Sequence, residues 1–280
     1  AAARMQCSNK VRQLSIATHV YLDAYHALPP AGTAMTGAAS SGPASSGKLN
    51  SGFIALLSGL EQTALYNALT TAKLTTAADT AAAGDPLNTK LQPFICPSDS
   101  EAANSGTNQS RTSYRFNLGS GGYKDTADET SGKFTTVEVG GSGAIGTGPF
   151  KVILNGESTS GHPGDGFSNT VFFAEKRVAK YNGSGTATGD NSGLAFASGY
   201  PAQTGVSTHA KPGTNSTNAA AITTAGGAGA TAGYFASSFH TNGVNTVFGD
   251  GAGKFINYSV DPGLWAKLGT AAGGEAATPP

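Results

Sequence analysis

From Arg4 to Leu28 the chain carries one unbroken helical pattern. Val11, Leu14, Thr18, Tyr21 or Leu22, and Tyr25 recur at steps of three and four residues, with no Gly or Pro between them. Pro29-Pro30 stops the pattern and Gly32 follows. A helix of this length with one apolar stripe needs a partner surface, and the rest of the chain has to supply it. The chain opens on Ala1 and not on Met. We therefore expect that an upstream segment has been removed, and that this helix is the lower half of a longer one.

Downstream, residues 31–50 are rich in Ala, Ser, Gly, Thr and Pro and read as a loop. Phe53, Leu56, Leu57, Leu60, Ala64 and Leu65 form one stripe, which predicts a second helix from Phe53 to Leu69. Residues 72–83 are compatible with helix or coil. Leu91 to Asp99 contains two prolines and reads as extended. From about residue 110 the pattern turns to strands: Thr112–Phe116, Lys133–Val139, Thr170–Ala174 and Val244–Phe248 are short and rich in β-branched and aromatic residues. Gly249-Asp250-Gly251 makes Val244 to Ile256 a hairpin. Residues 182–232 are so rich in Gly, Ser, Thr, Asn and Ala that long surface loops are expected. Helix first, then antiparallel sheet with large insertions, is an α+β plan. It divides into a helix at 1–30 and a single head at 31–280.

Composition limits the partners. Only 12% of the residues are charged, Gly is 40 of 280, and 17 basic residues balance 17 acidic ones. There is no basic stripe interleaved with aromatics, so nucleic acid is not an expected partner. A neutral surface of small hydrogen-bonding groups suits extracellular material and makes self-association cheap. The longest strongly apolar runs are about four or five residues, far short of the roughly 20 that span a bilayer.

Candidate chemistry is sparse. Cys7 and Cys96 are compatible with a disulfide or with two buried thiols, and the secreted-style composition favours the bridge. His240 and Asp250, nine residues apart in between and followed by Gly251, can pair an imidazole with a carboxylate on a hairpin. Asp-Gly and Asn242-Gly243 are also turn dipeptides, and we read the element as structural. Asp165, Ser168 and Asn169 offer oxygens to Ca²⁺, but not at the spacing of the helix-loop-helix calcium loop. A turn leading into a buried strand explains the same residues. No Gly-x-Ser-x-Gly elbow is present, and Gly140–Gly143 lacks the Lys-Ser/Thr of a phosphate loop. No enzyme and no cofactor is expected.

Several blocks in order resemble the prepilin-like surface proteins abundant in planctomycetes. They are Ala2–Asn9 with Tyr25–Pro30, Leu60–Asn67, Phe94–Asp99, Asp165–Thr170 ending at Glu175, Phe239-His240 with Asp250-Gly251, and the tail Asp261–Glu275. The His, nine residues, Asp-Gly element is that family's own signature. The resemblance implies the type IV pilin plan, a long N-terminal helix laid on an antiparallel sheet, and strengthens the case for a Cys7–Cys96 bridge. It also implies an extracellular or cell-surface address, with membrane contact only through an N-terminal segment absent from this chain. The function it implies is a structural subunit of a filament or surface assembly that self-associates into a homopolymer. Two alternatives stay open. One is a pseudopilin or a glycan- or solute-binding surface module, using Tyr181, Tyr200 and Tyr234. The other is a metal-dependent hydrolase using His240 and Asp250.

Overall fold

The computed structural model describes residues 2–34, 49–71, 86, 89–103, 111–119, 144–145, 147–154, 162–178, 205–206, 208, 212–213 and 236–274. The expected strand at Lys133–Val139, the segment 72–83, most of the expected 182–232 insertion, and Tyr181, Tyr200 and Tyr234 lie outside these residues.

The N-terminal helix, α1, runs from Ala2 to Tyr25 and buries Cys7, Val11, Leu14, Thr18 and Leu22 along one face. It ends three residues earlier than the apolar pattern suggests. His26 takes a left-handed backbone (φ 54°) while its N–H still bonds Leu22 O at 2.8 Å. That is the geometry of a helix C-cap, so the turn is finished before the prolines arrive. Among the described residues no helix is long and apolar enough to cross a membrane.

The loop expected at 31–50 is bordered by two short strands, β1 (Gly32–Ala34) and β2 (Leu49–Ser51). The expected helix Phe53–Leu69 is broken into α2 (Gly52–Leu56), a 3-10 turn (Ser58–Leu60) and α3 (Thr63–Thr71). The break has a packing cause. Gly59 sits against α1 so closely that an added Cβ would lie 2.9 Å from Ala17 Cα. Glu61, in left-handed conformation (φ 60°), then redirects the chain. Leu91–Asp99 is not wholly extended either, because Pro93 sits in a 3-10 turn, Gln92–Phe94. A four-residue helix, α4 (Ser100–Ala103), follows.

The main sheet contains β3 (Tyr114–Asn117), β6 (Val171–Glu175), β7 (Gly205–Val206), β8 (Gly243–Phe248) and β9 (Gly253–Asn257), in the order β7-β3-β6-β8-β9. The hairpin forms as expected, with Val244 opposite Ile256. The sheet is mixed, however, and not purely antiparallel: β7 runs parallel to β3. A second sheet of β1, β2, β4 (Ala144–Ile145) and β5 (Val152–Leu154) has the order β2-β1-β5-β4 and also holds one parallel pair, β1 with β5. Parallel neighbours need long crossovers, which local periodicity does not reveal.

The fold is α+β, with both faces of the main sheet covered. On one side α1 packs over β8, β6 and β9. Beneath it Phe53, Phe94, Phe116, Phe150, Phe172 and Phe173 form one aromatic core, with Phe53 and Phe116 rings 4.4 Å apart and Phe116 and Phe173 4.9 Å apart. Two consecutive Phe residues reach the same core because the β6–β8 register shifts between Val171 and Phe173, which is the effect of a β-bulge. On the other side α5 (Pro262–Gly269) lays Trp265 and Leu268 on Val171, Ala174, Val244, Phe248 and Ile256. Asp261 caps α5 by accepting Leu264 N–H at 2.8 Å, and Pro262 stands at its first turn. Asp261-Pro262 is a plain helix-start signal in the sequence.

Candidate functional site

The densest polar chemistry lies where α1, the segment after Phe94, the end of β6 and the approach to β8 meet. Cys7 and Cys96 are joined as a disulfide that ties the second turn of α1 to the head. Tyr114 of β3 donates its hydroxyl to Cys7 O at 3.1 Å, and Lys10 donates to Ile95 O at 2.7 Å. The bridge is therefore flanked by two further ties between helix and head.

Against this bridge stands His240. Its Nε2 is 3.6 Å from Cys96 Sγ and 3.3 Å from Glu175 Oε1. Glu175 is 2% exposed and takes one bond from Asn245 on each oxygen: Oε2 accepts Asn245 N–H at 2.8 Å, and Oε1 accepts from Asn245 Nδ2 at 2.9 Å. A buried carboxylate is tolerated only with such partners. Ser238 Oγ accepts His240 N–H at 2.9 Å and donates to Gly243 O at 2.6 Å, which fixes the turn that presents the imidazole.

A second buried acid, Asp99, lies beyond Cys96. Its carboxylate accepts Ala102 N–H at 3.1 Å, Ser113 Oγ–H at 3.1 Å and Val178 N–H at 3.0 Å. Burial nevertheless pushes its pKa above the usual aspartate value, against those bonds and the charge of Arg115. Burial likewise pushes the Tyr114 hydroxyl well above its usual range, helped by the charges of Glu175 and Asp99.

The structure separates His240 from Asp250. The two stand at opposite ends of β8, a six-residue strand that spans about 20 Å, so they do not form the imidazole–carboxylate pair that the spacing allowed. Glu175 is the carboxylate that meets His240. Asp250 is exposed, and its Oδ1 accepts Ala252 N–H at 2.8 Å inside the turn. Gly251 takes φ 82°, which only Gly adopts without strain. The turn is held to α1 by a different imidazole: His19 Nε2 lies 2.5 Å from Gly249 O, with Ser15 Oγ donating to Phe248 O at 3.4 Å. One end of β8 thus lies beside Cys96, the disulfide partner of Cys7, and the other beside His19. Twelve helical residues span about 18 Å, close to the length of β8. The fixed spacing matches a strand to the stretch of helix it lies along.

The oxygen cluster at Asp165 is a clasp for the C-terminal segment. Asp165 Oδ2 accepts Gly273 N–H and Oδ1 accepts Gly274 N–H, both at 2.8 Å. Asn169 Nδ2 donates to Asp165 O at 3.0 Å, and Ser168 is exposed. The Asp165 carboxylate, one of the three oxygen sources open to Ca²⁺ in the sequence, accepts from two backbone amides here.

Among the described residues, one group places metal-binding donors together: Cys7, Cys96, Glu175 and His240, all within 4.8 Å of one another. Sequence reasoning singled out three of the four. It named Glu175 only as the end of a block, although a Glu closing the apolar run Val171–Ala174 was a usable signal. Asn245, a polar residue inside Val244–Phe248, was another.

The family model described as "Protein of unknown function (DUF1559)" matches residues 1–263. No curated protein and no solved structure matches the chain.

Proposed function

From the premise that the chain belongs to the DUF1559 family, we propose that it is a pilin-like structural subunit of an extracellular filament or cell-surface assembly. In this reading it self-associates and does no catalysis. The observation that carries the reading is the outer face of α1. Met5 is 67% exposed, Ile16 60% and Val20 49%. At about 100° per residue these three fall within a sector of about 60°, on the side of the helix away from the head. Exposed apolar side chains on a helix locked to its head by a disulfide suit contact between copies, because the helix does not have to be ordered on assembly. The polar cluster at Glu175 and His240 fits the same reading, since its contacts brace β6, β8 and Cys96 against one another beside the disulfide that holds the helix.

Electron microscopy of protein isolated from its native source without denaturation tests the proposal. Ordered filaments or sheets are expected. Ile16→Glu with Val20→Glu is expected to abolish them while leaving the melting temperature of the subunit unchanged. Dispersed particles from the unaltered protein would instead favour a surface binding module.

A further inference from the structure

We propose that, once the Cys7–Cys96 disulfide is reduced, the two sulfurs together with His240 and Glu175 form a tetrahedral Zn²⁺ site. This stands on the geometry of the cluster and is independent of whether the chain assembles.

The argument starts from one nitrogen. His240 Nε2 faces both Glu175 Oε1 at 3.3 Å and Cys96 Sγ at 3.6 Å. Its one N–H can bond the carboxylate while the sulfur lies in contact beside it, so an imidazole nitrogen, a carboxylate oxygen and a sulfur already stand together. A cation among them would be met by all three. Zinc–ligand bonds of about 2.0–2.1 Å to N, 2.0–2.2 Å to O and 2.3 Å to S generate a tetrahedron whose N···O edge is about 3.4 Å and whose N···S edge is about 3.6 Å. Two edges of that tetrahedron are already present at those lengths. The remaining change is for the two sulfurs, bonded here, to part to about 3.8 Å. With the Cα atoms 4.9 Å apart, turning the Cys7 side chain about its Cα–Cβ bond is the movement that would part the sulfurs and leave Cys96 beside His240.

The surroundings fit a closed metal site. Cys7, Cys96 and Glu175 are buried, and His240 is nearly so. Asn245 holds the carboxylate through its backbone N–H and Nδ2, the kind of outer contact that orients a metal ligand. Two thiolates, an imidazole and a carboxylate are donors that zinc takes. A dithiol is the co-reactant: its two thiols reduce the S–S bond, leaving Cys7 and Cys96 as thiols and the dithiol as a disulfide. Zinc then displaces the two thiol protons to solvent. The helix stays tied to the head in both states, by a covalent bond or by a metal.

The test uses the full chain, oxidised or reduced with a phosphine that does not bind metal, titrated with Zn²⁺ or Co²⁺ alone. The reduced chain is expected to bind one Zn²⁺ at least a hundredfold more tightly than the oxidised chain. With Co²⁺ it should show the visible bands of a tetrahedral site together with sulfur-to-metal charge transfer. His240→Ala and Glu175→Gln should each weaken binding at least tenfold and alter those bands. If the reduced chain unfolds, metal should restore its native circular dichroism. Equal binding by both redox forms overturns the proposal. So does binding that neither His240→Ala nor Glu175→Gln affects, and so does a reduced chain that metal neither binds nor refolds.

Discussion

His240 Nε2 lies 3.3 Å from Glu175 Oε1, so the imidazole before β8 is paired with a carboxylate 65 positions earlier in the chain and not with Asp250 at the far end of that strand. Each end of the strand therefore does separate work. The His end closes the polar cluster at the disulfide, and the Asp-Gly end makes a turn that His19 clips to α1.

This separation predicts unequal costs for the two acids. Glu175→Ala strands the buried N–H and Nδ2 of Asn245 and should cost about 3 kcal/mol or more. Asp250→Ala loses one exposed turn bond and should cost about 1 kcal/mol or less. Urea unfolding of both variants checks the ranking, and a larger loss for Asp250→Ala would reverse the assignment of roles.

Removing the bridge with Cys7→Ser plus Cys96→Ser frees a loop of 89 residues' separation. In the loop-entropy model this lowers stability by about 4–5 kcal/mol. The denaturation midpoint in oxidising buffer is the measurement. An unchanged midpoint would mean that Tyr114, Lys10 and the apolar face already hold α1 without covalent help.

Asp99 sets a pH dependence. Folding raises its pKa, so the native state binds its proton more tightly than the unfolded chain does. Its contribution is full below the unfolded value and is lost as pH rises through the folded one. The stability advantage of the native protein over Asp99→Asn should accordingly shrink from acid toward neutral pH. An advantage that grows over that range would show that the amides of Ala102 and Val178, with Arg115, outweigh burial.

Gly59→Ala tests the crossing of α1 over the 3-10 turn. The new methyl would meet Ala17 Cα at 2.9 Å, backbone that cannot swing aside. A loss of about 1–3 kcal/mol is expected from overpacking. Gly251→Ala, where the space is open but φ is 82°, should cost about 1–2 kcal/mol through backbone strain alone. Crystal structures of the two variants would separate the mechanisms: a displaced α1 in the first, an altered turn in the second.

Elements whose signal is local were legible in the chain. The helix at Arg4–Leu28 is α1 with its end trimmed, because apolar steps of three and four report directly on a buried helical face. Thr170–Ala174 and Val244–Ile256 are β6 and the β8–β9 hairpin, because short β-branched and aromatic runs and a Gly-Asp-Gly turn are local signals too. The second helix misled, because its stripe is continuous in sequence while Gly59 must touch Ala17 in space. β1, β2, β4 and β5 are two or three residues long, too short to show a period. Their pairing is settled only by what lies beside them.

By itself, then, the sequence determined the α+β class, the helix that opens the chain, the hairpin near its end, and a cysteine pair able to join helix to head. These depend on side-chain periodicity and turn chemistry, which act over a few residues. Only the tertiary structure decided that the sheet is mixed, that Glu175 and not Asp250 meets His240, and that four donor atoms converge at the bridge. Such meetings join Cys7 to Cys96 and Glu175 to His240 across long stretches of chain. What selects them is how α1, β6 and β8 bury one another's faces, and no window of neighbouring residues contains that information.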